Sequence, residues 1–133
     1  VNIQIVTNNQ NKIIEKDLSY KIVGILYEVH TVLGGRYQEK VYQKAVEKLI
    51  IREKLSYKKE LPVDLLFEGD KIGKYYLDFL IEDRVVLELK AVYRFHPEHY
   101  RQVQSYLKTN GVKLGILANF KGPKLFFTRI LNG

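Results

Sequence analysis

The sequence predicts a single α/β domain of the α+β kind, one mixed sheet flanked by helices. Three observations carry that expectation. Apolar residues recur with a helical period up to about residue 54 and with a period of two thereafter. The order of elements reads α-α-β-β-β-α-β-β, with no internal repeat, linker or low-complexity segment. A chain of 133 residues, 46% hydrophobic and 28% charged, is long enough for one core and too short for two.

Taken in order, residues 1–16 are mixed, with a polar run at 7–11, and read as a short strand or an unpacked arm. Asp17 is the expected N-cap of a first helix. Ile22, Ile25, Leu26, Val29 and Leu33 fall on one helical face, and Gly34-Gly35 ends the element because glycine accepts the left-handed conformation. A second helix is expected over 37–54, with Tyr42, Ala45, Val46, Leu49 and Ile50 as its buried stripe. Glu39 precedes Tyr42 by three residues and Val46 by seven, so its carboxylate lies along the edge of that stripe, an odd place for a charge.

Strands are expected at 57–67, with Pro62 marking an edge or a bulge, at 72–81 and at 85–92. A helix at 99–109 follows, closed by Asn110-Gly111, and then strands at 113–119 and 124–130.

Charge is the first functional hint. Twenty-two Lys and Arg against fifteen Asp and Glu give +7, which favours polyanionic partners through counterion release; nucleic acid is the commonest of these. A basic surface serving only solubility gives the same total. The absence of cysteine excludes disulfides, thiolate nucleophiles and thiolate metal sites. No apolar run approaches the length of a membrane span and no signal peptide is visible at Val1-Asn2-Ile3-Gln4, so a cytoplasmic protein is expected.

The informative segment is YYLDFLIEDRVVLELKAV at 75–92. Alternation along a strand puts Glu88 and Lys90 on one face, with Leu87, Leu89 and Ala91 on the other. If residues 82–84 form the loop and Ile81 pairs with Val85, Asp78 falls opposite Glu88. Two carboxylates facing each other repel unless compensated. Lys90 offsets part of that, and a divalent cation of the Mg²⁺ or Mn²⁺ kind offsets more. Such an ion polarises a phosphodiester and activates water, while a lysine orients the water or stabilises developing charge. An exposed hairpin carrying a Glu–Lys pair has the same spacing.

Beyond this spacing, the sequence resembles the bacterial and archaeal GxxExxY proteins of the PD-(D/E)XK nuclease superfamily. The likeness runs through LSYKIVGILYEVHTVLG at 18–34, YQEKVYQKAV at 37–46, the segment at 75–92, and HYRQVQSYLKTNGVKLGILANF at 99–120. It implies a restriction-endonuclease-like αβββαβ core with an extra N-terminal helix. It also implies Asp78 and Glu88 as metal-binding carboxylates, Lys90 as the catalytic lysine, Glu39 as a helical glutamate reaching the same site, and Gln102 as a glutamine completing it. Tyr42 occupies the tyrosine of the name motif. Arg36 stands where that motif has glycine, with Gly34 and Gly35 just before it.

Of the weaker features, His96 and His99 lack a third ligand at helpful spacing and read as structural or surface residues, and His30 as a hydrogen-bonded histidine at a helix edge. Lys74, Arg94, Arg101 and Lys108 are the basic residues expected to track a phosphate backbone; Arg101 and Lys108, seven apart, share a helical face. The function expected is a Mg²⁺- or Mn²⁺-dependent nuclease acting on DNA or RNA. A nucleic-acid-binding or scaffolding module that no longer cuts is the alternative. A protein-interaction domain whose charge is incidental is a third. Oligomeric state has no signature in the sequence.

Overall fold

The structure, a computed structural model, describes residues 13–133, so most of the expected N-terminal strand or arm lies outside the described residues. Three helices and five strands follow in the expected order. They are α1 (Lys16–Leu33), α2 (Glu39–Arg52), β1 (Tyr57–Phe67), β2 (Asp70–Ile81), β3 (Val85–Lys90), α3 (Pro97–Asn110), β4 (Leu114–Asn119) and β5 (Phe126–Leu131). The strands form one sheet in the order β1-β2-β3-β4-β5, with β3 and β4 parallel and the other neighbours antiparallel. A parallel pair needs a crossover, and α3 supplies it. Among the described residues no helix is long and apolar enough to cross a membrane.

Each face of the sheet has its own apolar cluster. Leu87, Leu89, Leu114, Ile116 and Ala118 pack with α1 and α2 through Ile22, Leu26, Tyr42, Val46 and Ile50. Val86, Leu117 and Leu80 pack on the other face with Val103, Tyr106 and Leu107 of α3. At Gly115 the helix comes so close that an added Cβ would stand 2.5 Å from a Val103 methyl. β4, covered on both faces, is buried throughout, which is why it reads as a continuous apolar run.

Two local details differ from expectation. Asp17 is not the N-cap; Glu15, at φ 52°, precedes the helix, and Asp17 lies in the first turn, facing the positive end of the helix dipole. The turn between α1 and α2 is longer than expected, so α2 begins at Glu39. Gly34 does close α1 in a positive-φ conformation. An added Cβ at Gly35 would stand 1.9 Å from the Gly122 carbonyl oxygen, so the close approach in this turn falls at Gly35, and Arg36 lies over the Tyr37 ring. The Tyr42 hydroxyl donates to the Gly34 carbonyl and accepts from the Tyr37 amide, while its ring stacks on Phe120 at 4.4 Å. His30 reaches the same corner, its Nε2 3.1 Å from the carbonyl oxygens of Phe120 and Gly122. Together these contacts set where α2, and hence Glu39, begins.

Besides a register shift between Leu65 and Leu66, the β1–β2 pair changes face nearer the site. Tyr57 packs toward α1 and α2, whereas Leu61 and Val63, separated from it by even steps, pack toward α3. The partner strand does the same, with Leu77 toward α3 and Phe79 and Ile81 toward α1 and α2. Strict alternation forbids this, so the pleat changes phase between these residues. Glu60, at φ 59°, and Asp78 lie at the change, between the register pairs Lys59↔Phe79 and Leu61↔Leu77. β1 is an edge strand, as Pro62 requires.

Candidate active site at the opening of the sheet

The loop at 82–84 and the pairing Ile81↔Val85 are as the sequence predicts. The β2–β3 ladder then runs only to Phe79↔Leu87, while β3 continues beside β4 to Lys90↔Asn119. Two backbone amides at the opening therefore need acceptors, since a buried N–H without one is costly. The carboxylates supply them: Asp78 N–H donates to Glu88 Oε1 at 2.9 Å, and Leu89 N–H donates to Asp78 Oδ2 at 2.8 Å. The two acids thus replace the rungs of a ladder that has opened, rather than standing side by side on a flat pleat.

Lys90 Nζ lies 3.2 Å from Glu88 Oε2, with both side chains largely buried. Gln43, one turn after Glu39 on α2, donates from Nε2 to Asp78 Oδ1 at 2.7 Å. Asn119, beside Lys90, accepts from Val92 N–H at 3.1 Å and donates to the Val92 carbonyl at 2.7 Å, which fixes the chain where it leaves β3. Sequence reasoning missed both residues. Gln43 carried a signal, since it lies four residues from Glu39 on the same helical face. Asn119 carried none beyond its place at the end of a strand.

Burial dominates the electrostatics. Glu88, 4% exposed, is pushed up to about 8 by burial and then by the neighbouring Asp78 carboxylate, with Lys90 pulling the other way. Asp78 is also raised by burial, against the Leu89 amide, Lys90 and Gln43, which favour its charged form. Glu39 is raised, again by burial first; Lys90 lowers it and Asp78 raises it further. For Lys90 burial works downward, but Glu88, Glu39 and Asp78 outweigh it and hold the ammonium above its ordinary range. Three acids of raised proton affinity around one lysine form a site short of positive charge.

Not every expected residue converges here. Asp78, Glu88 and Lys90 come together. Glu39 senses Lys90 and Asp78 through space but makes no hydrogen bond or ion pair with them, and no group of three or more acids or histidines is closed around a metal position among the described residues. Gln102 turns along its own helix, its side-chain amide 3.5 Å from Glu98 Oε1; only its main-chain carbonyl, accepting from the Tyr75 hydroxyl at 3.3 Å, links it to the sheet. His96 and His99 cap α3, with His96 N–H donating to His99 Nδ1 at 3.2 Å. Of the expected phosphate-tracking residues, Lys74 lines a depression against α3 with Tyr106 and Asn110, Arg94 lines another with Tyr93 and Lys121, and Arg101 and Lys108 are exposed on α3. None of the four touches the carboxylates.

A divalent cation fits this donor set. Mg²⁺ and Mn²⁺ take oxygen ligands, and Mg²⁺ is commonly held by one or two carboxylates, with water and substrate oxygens completing its shell. Asp78 and Glu88 supply two such groups, buried and short of positive charge.

A family model described as the PD-(D/E)XK nuclease superfamily matches residues 16–130. Among solved structures, an alkaline exonuclease (LHK-Exo) from Laribacter hongkongensis superposes with a TM-score of 0.50 and 17% identity, covering 71% of this chain and 56% of that one. The protein SSO0001 superposes with a TM-score of 0.51 and 18% identity, covering 88% of this chain and 58% of that one. The chain thus spans less than two thirds of either relative, and at these identities the likeness concerns the fold. No curated protein matches the chain.

Proposed function

We propose, since the chain belongs to the PD-(D/E)XK nuclease superfamily, that it is a divalent-metal-dependent nuclease hydrolysing phosphodiester bonds of DNA or RNA. The observation that carries this reading is the opened β2–β3 seam, where Asp78 and Glu88 are buried together beside Lys90. Asp78 and Glu88 are the proposed holders of Mg²⁺ or Mn²⁺, and Glu39 is the acid that can join them through solvent or substrate. When bound, the ion supplies charge stabilisation at the phosphoryl group and lowers the pKa of a water.

The protein's own groups divide the remaining work. Gln43 fixes the Asp78 carboxylate, leaving its second oxygen on the Leu89 amide. Lys90, held protonated by its acidic neighbours, acts as a donor and positive charge toward the phosphate or attacking water, not as a base. Asn119 keeps Lys90 in place by clamping Val92. Gln102 is tied to Tyr75 of β2 through its main-chain carbonyl and makes no bond to the carboxylates. Assignment to the GxxExxY proteins within the superfamily is supported by Glu39 at the start of α2 and by the turn that Tyr42 ties to Gly34.

The test is a Mn²⁺ titration by calorimetry on the wild type and on Glu88→Ala, paired with cleavage assays on single- and double-stranded DNA and RNA. Saturable binding lost in the variant, with Mn²⁺-dependent cleavage by the wild type alone, is the expected result. Binding of Mn²⁺ with no cleavage of any substrate would instead assign a non-cleaving nucleic-acid-binding or scaffolding module.

A further inference from the structure

A cleft of about 170 Å³ runs between α2 and β1 and ends at Asp78. Lys40, Gln43, Lys44 and Glu47 line one wall of it, and Lys59 and Glu60 stand on the other. The four residues of α2 are spaced i, i+3, i+4 and i+7, so one helical face looks into the cleft along its length. Gln43, from the middle of that face, makes the bond to Asp78. The cleft is therefore continuous with the carboxylate site.

Its formal charges cancel, Lys40, Lys44 and Lys59 against Glu47, Glu60 and Asp78, but the pairing is uneven. Glu47, the acid of the α2 wall, is already satisfied: Lys59 Nζ lies 3.2 Å from one of its oxygens, and the Tyr57 hydroxyl donates to it at 2.7 Å. Lys40 and Lys44 are exposed and have no ion-pair partner among the described residues. The depression on the α3 side offers one such lysine, Lys74, because its Lys71 is held by Asp64 at 3.3 Å. Two unpaired ammonium groups, one helical turn apart and roughly 6 Å from each other at Cβ, match the repeating charge of a phosphodiester chain better than a single small anion.

We propose that this cleft seats the backbone of one nucleic-acid strand, with Lys40 and Lys44 gripping phosphates on the α2 side of the group that reaches Asp78. This rests on the nuclease reading for the identity of the ligand and goes beyond it in naming the path. It makes α2, not the α3 residues Arg101 and Lys108, the main electrostatic contact.

Fluorescence anisotropy with short labelled oligonucleotides, in EDTA and over a range of KCl concentrations, tests it. The proteins are the wild type, Lys40→Ala/Lys44→Ala, and the charge-matched Arg101→Ala/Lys108→Ala. The probes are single-stranded DNA, single-stranded RNA of the same sequence, and duplex DNA. The α2 pair should weaken binding at least about tenfold at physiological salt and reduce the slope of log K against log salt by about 1.4 to 1.8, the share of two phosphate contacts. The α3 pair should change affinity no more than about threefold. Equal slope losses in the two double variants would overturn the proposal, as would an unchanged slope in the α2 pair or no binding by the wild type. Cleavage with Mn²⁺, read on the same proteins, separates this from the nuclease reading. Cutting with an unaltered slope in the α2 pair sinks the cleft alone; a lysine-dependent slope without cutting sinks the nuclease alone.

Discussion

β3 makes two seams, and they are built on opposite principles. Against β4 it is paired from Val85↔Leu114 to Lys90↔Asn119 without a break, and most of the side chains on either side are apolar and fully buried. Against β2 it pairs only as far as Phe79↔Leu87 and then opens onto two carboxylates, a lysine and a glutamine from another element. The first seam maximises burial and backbone pairing. The second gives up regular rungs and buries charge, which opposes folding unless something neutralises it. A fold can carry the second because the first is complete beside it.

The largest expected effects would separate the seams outright. Asp78→Asn, which keeps an acceptor for the Leu89 amide, should lower Mn²⁺-dependent cleavage by about a thousandfold or more, equivalent to ~4 kcal/mol of barrier, and leave the melting temperature within a few degrees. Ile116→Ala, at a fully buried position of the closed seam, should destabilise by about 2–5 kcal/mol while the folded fraction keeps its specific activity. Calorimetric melts and cleavage rates on the same samples decide this. Comparable losses of stability in both variants would erase the distinction.

Gln43→Ala probes how far the open seam depends on its support. Removing a group that orients a ligand commonly costs about 10–100-fold in metal affinity or activity. We expect that range in a Mn²⁺ titration, with Gln43→Glu no better, because a second carboxylate would repel Asp78. An unchanged Mn²⁺ affinity in Gln43→Ala would show that Asp78 is held without it.

The smallest effect is the most diagnostic of buried charge. Glu88 moves from an ordinary 4.5 to about 8 in the folded protein, so the native state holds a proton that the unfolded chain has released between those values. Stability from this group is fully present below about 4.5 and is lost as pH rises through about 8. Glu88→Gln has no such group. In EDTA it should be more stable than wild type at pH 8, by about 1–2 kcal/mol, with the advantage shrinking toward pH 5. Mn²⁺ should reverse the order by stabilising only the wild type. A gap independent of pH would contradict the buried-carboxylate account.

Much of this frame was legible in the sequence. The loop at 82–84, the register Ile81↔Val85 and the placement of Glu88 and Lys90 follow from turn length and a period of two. The stripe of Tyr42, Val46 and Ile50 on α2 follows from a period of 3.6. The phase change at Glu60 and Asp78 did not show, because a left-handed glutamate leaves no mark in composition. Nor did the turning of Gln102 toward Glu98, since spacing along a helix does not say which neighbour an amide selects.

The sequence by itself determined the elements, their order and which residues share a strand face, because these depend on local periodicity and short turns. Only the tertiary structure decided that the β2–β3 seam opens, that Gln43 reaches Asp78 across 35 positions of chain, and that two unpaired lysines line the approach. The reason is physical. Packing α2 against the sheet creates both the proximity and the exclusion of water, and it is that exclusion which raises the proton affinity of Asp78 and Glu88.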